Sequence, residues 1–281
     1  IRRVDLTAAR RLIAAMNTFQ DSILLAAAGE NLWSGAADPD YRGFGSQFGG
    51  WTAAALLKAI MLEPSANGAP LSQSVLFIEA IHDGPFEIST RLIRSGARLQ
   101  FWRSELQQGG KCCAHAQVTM GVRRETTSFT DAVMPDVPLA ETPGLGEWTP
   151  PSGFGTKYRS RWITPLPRSP DLDRSKPASS LVWQEDRAGR PLDILALAAI
   201  VDLAPPRVMW KRDTVSASST VSMTTHFHAT PEEIAAVGSR PILSEVHCRR
   251  CEGGYFDHEL KLWSPDGALL ATSEQVAAFR D

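Results

Sequence analysis

The stretch GWTAAALLKAIMLEP, residues 50–64, is the most informative part of the sequence for the fold. Between Trp51 and Leu62 its only charged residue is Lys58, and a helix that is apolar on almost all sides is buried on most of them. A proline disfavours the helical conformation of the residue before it, so Glu63-Pro64 ends the helix. The sequence therefore predicts a central, buried helix over 51–62.

Strand-like runs follow this helix and are separated by turn sequences that contain glycine. They cover residues 74–81, 86–95, 99–107 and 112–122. Ahead of the helix, residues 3–28 predict an amphipathic helix and a short apolar segment. The first half of the chain is thus predicted to be one buried helix followed by an antiparallel meander.

The same order of elements recurs in the second half of the chain. An apolar helix predicted over 191–204 precedes strand-like runs at 218–228, 241–248, 255–263 and 269–279. Laid over each other, the halves align at an offset of 141 residues at the helix ends, 150 at the first strands and 157 at the last turns. The drifting offset with a constant order indicates a diverged internal duplication.

A proline-rich connector separates the two halves. Between Pro135 and Pro177 the chain carries nine of its 19 prolines, a density that neither a helix nor a central strand tolerates.

Composition excludes several classes of protein. The 281 residues include 29 Lys and Arg against 31 Asp and Glu, a net charge of -2, which gives no basic surface for nucleic acid. With 43% hydrophobic residues the chain is too apolar to be disordered, and its longest apolar run, 194–201, is far shorter than the roughly 20 residues of a membrane span. We expect neither a nucleic-acid partner nor a membrane.

Four cysteines occur in two pairs, Cys112 with Cys113 and Cys248 with Cys251. Adjacent strand residues point to opposite faces, so the first pair cannot join the second around one metal ion without distortion. The expectation is reduced thiols in the cytoplasm and no metal.

Five segments carry a resemblance to a known family. They are FGSQFGGW at 44–51, LIRSGARL at 92–99, VDL at 201–203, TVSMTTHFH at 220–228 and DGALLATSEQ at 266–275. Together with a helix wrapped by an antiparallel sheet twice in one chain, they resemble the type II, TesB-like acyl-CoA thioesterases, which have the double hotdog fold.

This resemblance implies an α+β fold of two tandem hotdog halves that form a pseudo-dimer. With the Pro-rich segment as the boundary, the predicted division is an N-terminal half at 1–133, a Pro-rich connector at 134–177 and a C-terminal half at 178–281 that carries the active site. It also implies an acyl-CoA substrate, hydrolysis of the thioester without a cofactor, and assembly of the chain into a homo-oligomer.

Two aspartates are the only charged residues of the second predicted helix, and they lie on opposite sides of it. Asp193, in the predicted first turn, is explained by the helix dipole and by capping of free N–H groups. Asp202 lies at the carbonyl-rich end, where both the dipole and desolvation oppose a negative charge. It is either a solvated helix end or a functional acid. The resemblance matches Asp202 to the acid that activates water.

The strand at 218–228 shows a polar face by period-two alternation, which alone is typical of a solvent-facing surface. The predicted face comprises Thr220, Ser222, Thr224, His226 and His228. The family's site threonine precedes a phenylalanine by seven positions, as Thr220 precedes Phe227, so the resemblance assigns this role to Thr220. His226 and His228 lack a third ligand or carboxylate at a supporting spacing, so no metal is expected there.

Gln275 lies on the apolar face of the last predicted strand, where a buried amide needs hydrogen-bond partners. It is either a core glutamine satisfied by backbone or, as the resemblance implies, the amide that holds a water or the thioester oxygen. Gly49 and Gly50 offer backbone N–H groups at a helix N-terminus for an oxyanion or a pantetheine carbonyl, or they form a closely packed helix start.

The internal overlay places apolar residues of the first half at all three polar positions. Asp202 lies over Met61, Thr220 over Pro70 and Gln275 over Val118. We therefore expect one site per chain. Two alternatives remain open: an enoyl-thioester hydratase or dehydratase, against which the lack of a helix histidine counts, and a non-catalytic acyl-thioester-binding module.

Overall fold

The computed structural model describes residues 18–150, 152–167, 169–212 and 217–280. Most of the helix predicted within 3–28 lies outside these residues. The described chain forms one antiparallel sheet of 14 strands, against which the helices pack.

The first half of the sheet surrounds a long helix. Its elements are α1 (Phe19–Ser22), β1 (Ala26–Gly29), β2 (Leu32–Ala37), α2 (Gly49–Met61), β3 (Ala69–Phe77), β4 (Gly84–Ser95), β5 (Leu99–Gln108) and β6 (Lys111–Gly121). Helix α2 is buried from Gly50 to Leu57, which confirms the predicted central helix.

The second half repeats this arrangement with a shorter helix. Its elements are β7 (Gly146–Glu147), β8 (Tyr158–Trp162), β9 (Ser180–Asp186), α3 (Ile194–Ile200), β10 (Ser218–Phe227), α4 (Pro231–Val237), β11 (Ile242–His247), β12 (Cys251–Glu252), β13 (Tyr255–Trp263) and β14 (Leu269–Phe279). The strand order of the sheet is β1-β2-β4-β5-β6-β3-β10-β14-β13-β11-β9-β8-β7, and β12 pairs with β13 outside this path. The order is symmetric about the β3–β10 pair, so five strands of the first half have equivalents in the second: β2, β3, β4, β5 and β6 correspond to β9, β10, β11, β13 and β14. The duplicated α+β architecture predicted from the sequence is confirmed.

The two halves join along β3 and β10, which pair in antiparallel register. Ser74 lies opposite Thr224, and their hydroxyl groups are 3.0 Å apart. These two residues are also equivalent under the 150-residue offset of the overlay, so a pseudo-two-fold axis passes between them. Both strands carry an irregularity at equivalent places, at Leu71 in β3 and at Val221 in β10.

The second helix is shorter than predicted. It spans Ile194–Ile200 instead of 191–204, and Asp193 is its N-cap rather than a residue of its first turn, with its carboxylate accepting from Ala196 N at 2.7 Å. Leu192 N donates to Gly238 O at 2.7 Å, which holds the chain before Asp193 outside the helix. Asp202 consequently lies two residues past the last helical residue.

Some elements had no clear signal in the sequence analysis. Strands β2 and β9, which precede α2 and α3, were not predicted. The sequence of β2, LWSGAA, mixes apolar and small residues, and β9 is largely buried, so that its apolar and polar residues do not alternate. Helix α4 was missed although Thr230 and Glu233 form a capping box around Pro231. The strand predicted at 74–81 is displaced to Ala69–Phe77.

Candidate active site

Three polar side chains that the sequence analysis singled out meet beside the C-terminal end of α3. Asp202 follows this helix, Thr220 belongs to β10 and Gln275 to the neighbouring strand β14. Oγ1 of Thr220 lies 3.3 Å from Oδ1 of Asp202 and 3.4 Å from Oε1 of Gln275. A carboxylate, a hydroxyl and an amide oxygen therefore converge on one small region.

Thr220 reaches this region because β10 contains a bulge. Thr220 pairs with Ala277 and Ser222 with Val276, so Val221 is an extra residue in β10. The extra residue turns Thr220 towards the interior, whereas Ser222 remains on the opposite face. The single polar face predicted from strict alternation is therefore wrong at Thr220.

The Gln275 side chain is held from the helix side. Its Nε2 donates to the backbone oxygen of Val201 at 3.1 Å and contacts Sδ of Met223 at 3.4 Å. Only 5% of the residue is exposed. With the nitrogen bound to Val201, the amide oxygen is the end that faces Thr220.

The first half of the chain contributes the start of α2 to the same region. A Cβ atom added at Gly49 would stand 2.6 Å from Oδ2 of Asp202, and a Cβ atom at Gly50 would overlap the backbone oxygen of Ala199. The backbone N–H of Gly50 also hydrogen-bonds the Asp202 carboxylate. The two glycines thus let α2 pack directly on α3, and they bring a helix N-terminus against a carboxylate.

Burial sets the protonation behaviour of Asp202. Although the residue keeps some exposed surface, desolvation of its carboxyl group raises its pKa from 3.8 to about 7. Hydrogen bonds from Thr220, from the backbone of Gly50 and from Gln275 act in the opposite direction and lower the pKa. The carboxyl group can therefore both accept and release a proton near neutral pH.

The register of the first half places apolar residues at the equivalent strand positions. Gln275 pairs with Met223, and Val118 pairs with Gln73, the residue 150 positions before Met223. Pro70 stands beside the bulge of β3 as Thr220 does in β10. Met61, the overlay counterpart of Asp202, is the last residue of α2.

His226, His228 and the cysteines lie apart from this arrangement. His228 contacts Oγ1 of Thr272 at 3.1 Å, and His226 is exposed. All four cysteines are free thiols. Among the residues that the structure describes, no group of three His, Cys, Asp or Glu side chains is arranged to hold a metal ion.

The paired helices inside a continuous antiparallel sheet define a double hotdog protein. Models of the acyl-CoA thioesterase family match both parts of the chain, the N-terminal domain over residues 37–121 and the C-terminal domain over 134–279. The chain belongs to this family, carries its N-terminal and C-terminal domains in tandem, and is a thioester hydrolase.

Three solved structures are similar to this chain over nearly its whole length. A protein of unknown function with a hot dog fold from Alicyclobacillus acidocaldarius is 33% identical, with 94% of this chain and 98% of that chain covered and a TM-score of 0.87. A protein described as a thioesterase II from Thermobifida fusca is 25% identical, with 95% and 98% covered and a TM-score of 0.81. A TesB protein from Mycobacterium avium shares the fold at 17% identity, with 94% and 98% covered and a TM-score of 0.77.

Comparison of the sequence with functionally curated proteins finds no match. Within the described part of the chain, no helix has the length and apolar character needed to cross a membrane.

Proposed function

We propose that the protein hydrolyses the thioester of an acyl-CoA by direct attack of a water molecule that Asp202 activates. The observation that carries this proposal is that the Asp202 carboxylate and the Gln275 amide oxygen both lie within 3.4 Å of the Thr220 hydroxyl. A water molecule bound by these groups has acceptors for both of its hydrogens. Its lone pair is then free for the carbonyl carbon.

The reaction proceeds through a tetrahedral intermediate. Asp202 accepts one proton as the water oxygen bonds to the carbonyl carbon, and the carbonyl oxygen takes up the negative charge. Collapse of the intermediate breaks the carbon–sulfur bond, and the leaving thiolate of CoA takes up the proton held by Asp202, which returns to the carboxylate form. The products are a free acid and CoA, so no covalent acyl-enzyme and no cofactor are required.

We assign to the N-terminus of α2 the stabilisation of the negative charge that develops at the site. The backbone N–H of Gly50 binds the carboxylate of Asp202, and the helix dipole places positive potential beside it. The same end of the helix, with Gly49, is suited to the oxyanion or to a pantetheine carbonyl. Because α2 belongs to the first half, the proposed site uses both halves.

The decisive test is release of free thiol from acyl-CoAs of varied chain length by the wild type and by the Asp202→Asn variant. We expect kcat of the variant to fall by a factor on the order of 10²–10⁴, because the amide cannot accept the proton. Asp193→Asn is the matched control, since it changes the aspartate at the opposite end of α3 to a residue that still caps the helix. Its kcat should stay close to that of the wild type.

Two outcomes would contradict the proposal. A wild type that is inactive on every chain length but binds acyl-CoA favours the non-catalytic binding module. An Asp202→Asn variant that keeps the full rate removes the role of Asp202. Hydration of an enoyl-CoA, followed by loss of absorbance of the conjugated double bond, distinguishes the hydratase alternative.

A further inference from the structure

A buried histidine lies behind the proposed site. His258 belongs to β13, is 4% exposed and is the register partner of Gln275 on β14. Its Nε2 atom is buried and has no hydrogen-bond partner among the described residues. A buried polar atom without a partner lowers the stability of the folded state, so a hydrogen bond from this atom to a neighbouring polar group is favoured.

The Gln275 amide is the polar group that this ring can bind. Gln275 Nε2 is already committed to the backbone oxygen of Val201 at 3.1 Å, so Oε1 is the end available to the imidazole. Because Oε1 is an acceptor, the imidazole must supply the proton. Gln275 lies directly across from His258 on the neighbouring strand, so the two side chains are cross-strand neighbours.

We propose that His258 is a positioning residue that fixes the orientation of the Gln275 amide by donating an N–H to Oε1. Val201 accepts from the amide nitrogen and His258 donates to the amide oxygen, so both ends of the group are specified. An amide turned over would present NH₂ to Thr220 and to the bound water, and the water would lose an acceptor. This inference rests on the proposed role of Gln275 in hydrolysis.

The surroundings keep the imidazole neutral. Burial and the guanidinium of Arg207 hold the pKa of His258 well below its usual range, while the nearby Gln275 side chain raises it in part. Arg207 is itself fully buried, stacks on Trp210 at 3.8 Å and donates to Ser180 Oγ at 2.8 Å. A neutral imidazole carries one N–H, which is the single donor that the amide oxygen needs.

The first half of the chain supplies an internal comparison. Trp102 is the register partner of Val118 on β5 and β6, so Trp102 and Val118 occupy the positions that His258 and Gln275 occupy in the second half. In the first half, the indole of Trp102 and the side chain of Val118 stand where the second half has an imidazole and an amide. The donor and the amide therefore occur together, in the half that carries the proposed site.

The test compares His258→Phe, which keeps a planar ring without the donor, with His258→Gln, which restores an N–H donor. We expect kcat to fall about tenfold in His258→Phe with little change in KM, and to recover in large part in His258→Gln. The matched control Trp102→Phe trims the equivalent buried ring and should leave kcat at the wild-type level. In a Gln275→Leu background, His258→Phe should cost no further factor.

A readout without activity separates this proposal from the proposed function. The side-chain amide of Gln275, observed by ¹⁵N NMR, should shift and exchange faster with solvent in His258→Phe than in the wild type, and the wild-type imidazole should stay neutral at pH values where an exposed histidine is protonated. Wild-type kcat in His258→Phe, or equal losses with and without Gln275, would overturn the proposal. So would an unchanged Gln275 amide signal, even if the enzyme proved inactive on acyl-CoA.

Discussion

Asp202 lies where two opposing influences on one carboxyl group meet. It follows the C-terminal end of α3, whose carbonyl groups disfavour a negative charge, and it faces the N-terminal end of α2, whose N–H groups favour it. Desolvation is the largest influence and raises the pKa to about 7. The residue is thus a much stronger base than an exposed aspartate while it still ionises at neutral pH.

This pKa predicts the acid side of the pH profile. If Asp202 must be ionised to accept a proton, kcat/KM should be constant above about pH 7 and fall tenfold per unit below it. The measurement is initial rates of thiol release between pH 5 and 9. The Asp193→Asn control should follow the wild-type curve. A profile that stays flat down to pH 5 would show that another group limits the reaction.

The same pKa predicts an effect on stability. A carboxyl group whose pKa is raised by folding stabilises the folded state below its unfolded value of 3.8, and this contribution is lost as the pH rises towards 7. Asp202→Asn removes this loss. At about 1.4 kcal/mol per pKa unit, the free energy of unfolding of the variant at pH 8 should exceed that of the wild type by up to about 4 kcal/mol. Urea unfolding at pH 4 and pH 8 measures the difference. An equal gain at both pH values would contradict a titration of Asp202.

At the scale of single elements, β10 shows what alternation alone could not predict. The sequence identifies the strand, but its period-two pattern places Thr220 with Ser222 on one face. Pairing with β14 inserts Val221 as a bulge, and the faces exchange at that point. A bulge depends on the register of two strands that are distant in sequence. The resemblance assigned the site role to Thr220 from its seven-residue spacing to Phe227, without using alternation, and the bulge turns Thr220 towards Asp202.

The short helix α3 illustrates the same difference. Its apolar residues were predictable, but its ends were set by contacts outside the segment, such as Leu192 N with Gly238 O. Asp202 was therefore expected within a helix and instead follows it. By contrast, the buried character of α2 was evident from its sequence, because thirteen residues with one charge cannot form a surface helix.

The crossing of α2 and α3 leads to a prediction for Gly50→Ala. The added methyl group would overlap the backbone oxygen of Ala199 and the ring of Phe48, so the two helices must separate. We expect a loss of about 1–3 kcal/mol in stability together with a strong loss of kcat, since the N–H of Gly50 moves away from Asp202. Gly29→Ala is the control, because its nearest neighbours are at ordinary distances of 3.7 and 3.8 Å. Thermal unfolding and thiol release measure both effects.

At the scale of the whole molecule, duplication produced two halves with unequal roles. The order of elements and the offsets between halves were sufficient to predict the repeated architecture. The contact between Gly50 and Asp202 was not predictable, because it depends on how the second half turns about the axis between Ser74 and Thr224. Asp202, Thr220 and Gln275 lie in the second half, but the backbone N–H group that binds the Asp202 carboxylate belongs to the N-terminus of α2 in the first half.

This division predicts the behaviour of a chain cut between Arg124 and Glu125, in a segment that is exposed and without secondary structure. The two fragments, co-expressed, should associate through β3 and β10 and through α2 and α3, and should hydrolyse acyl-CoA at a rate comparable with the intact chain. The C-terminal fragment alone should be at least 100-fold less active, since it keeps Asp202 but lacks the N-terminus of α2. Sedimentation of each purified species shows whether that fragment pairs with itself. A self-paired C-terminal fragment with the full rate would demonstrate that the first half contributes nothing to the site.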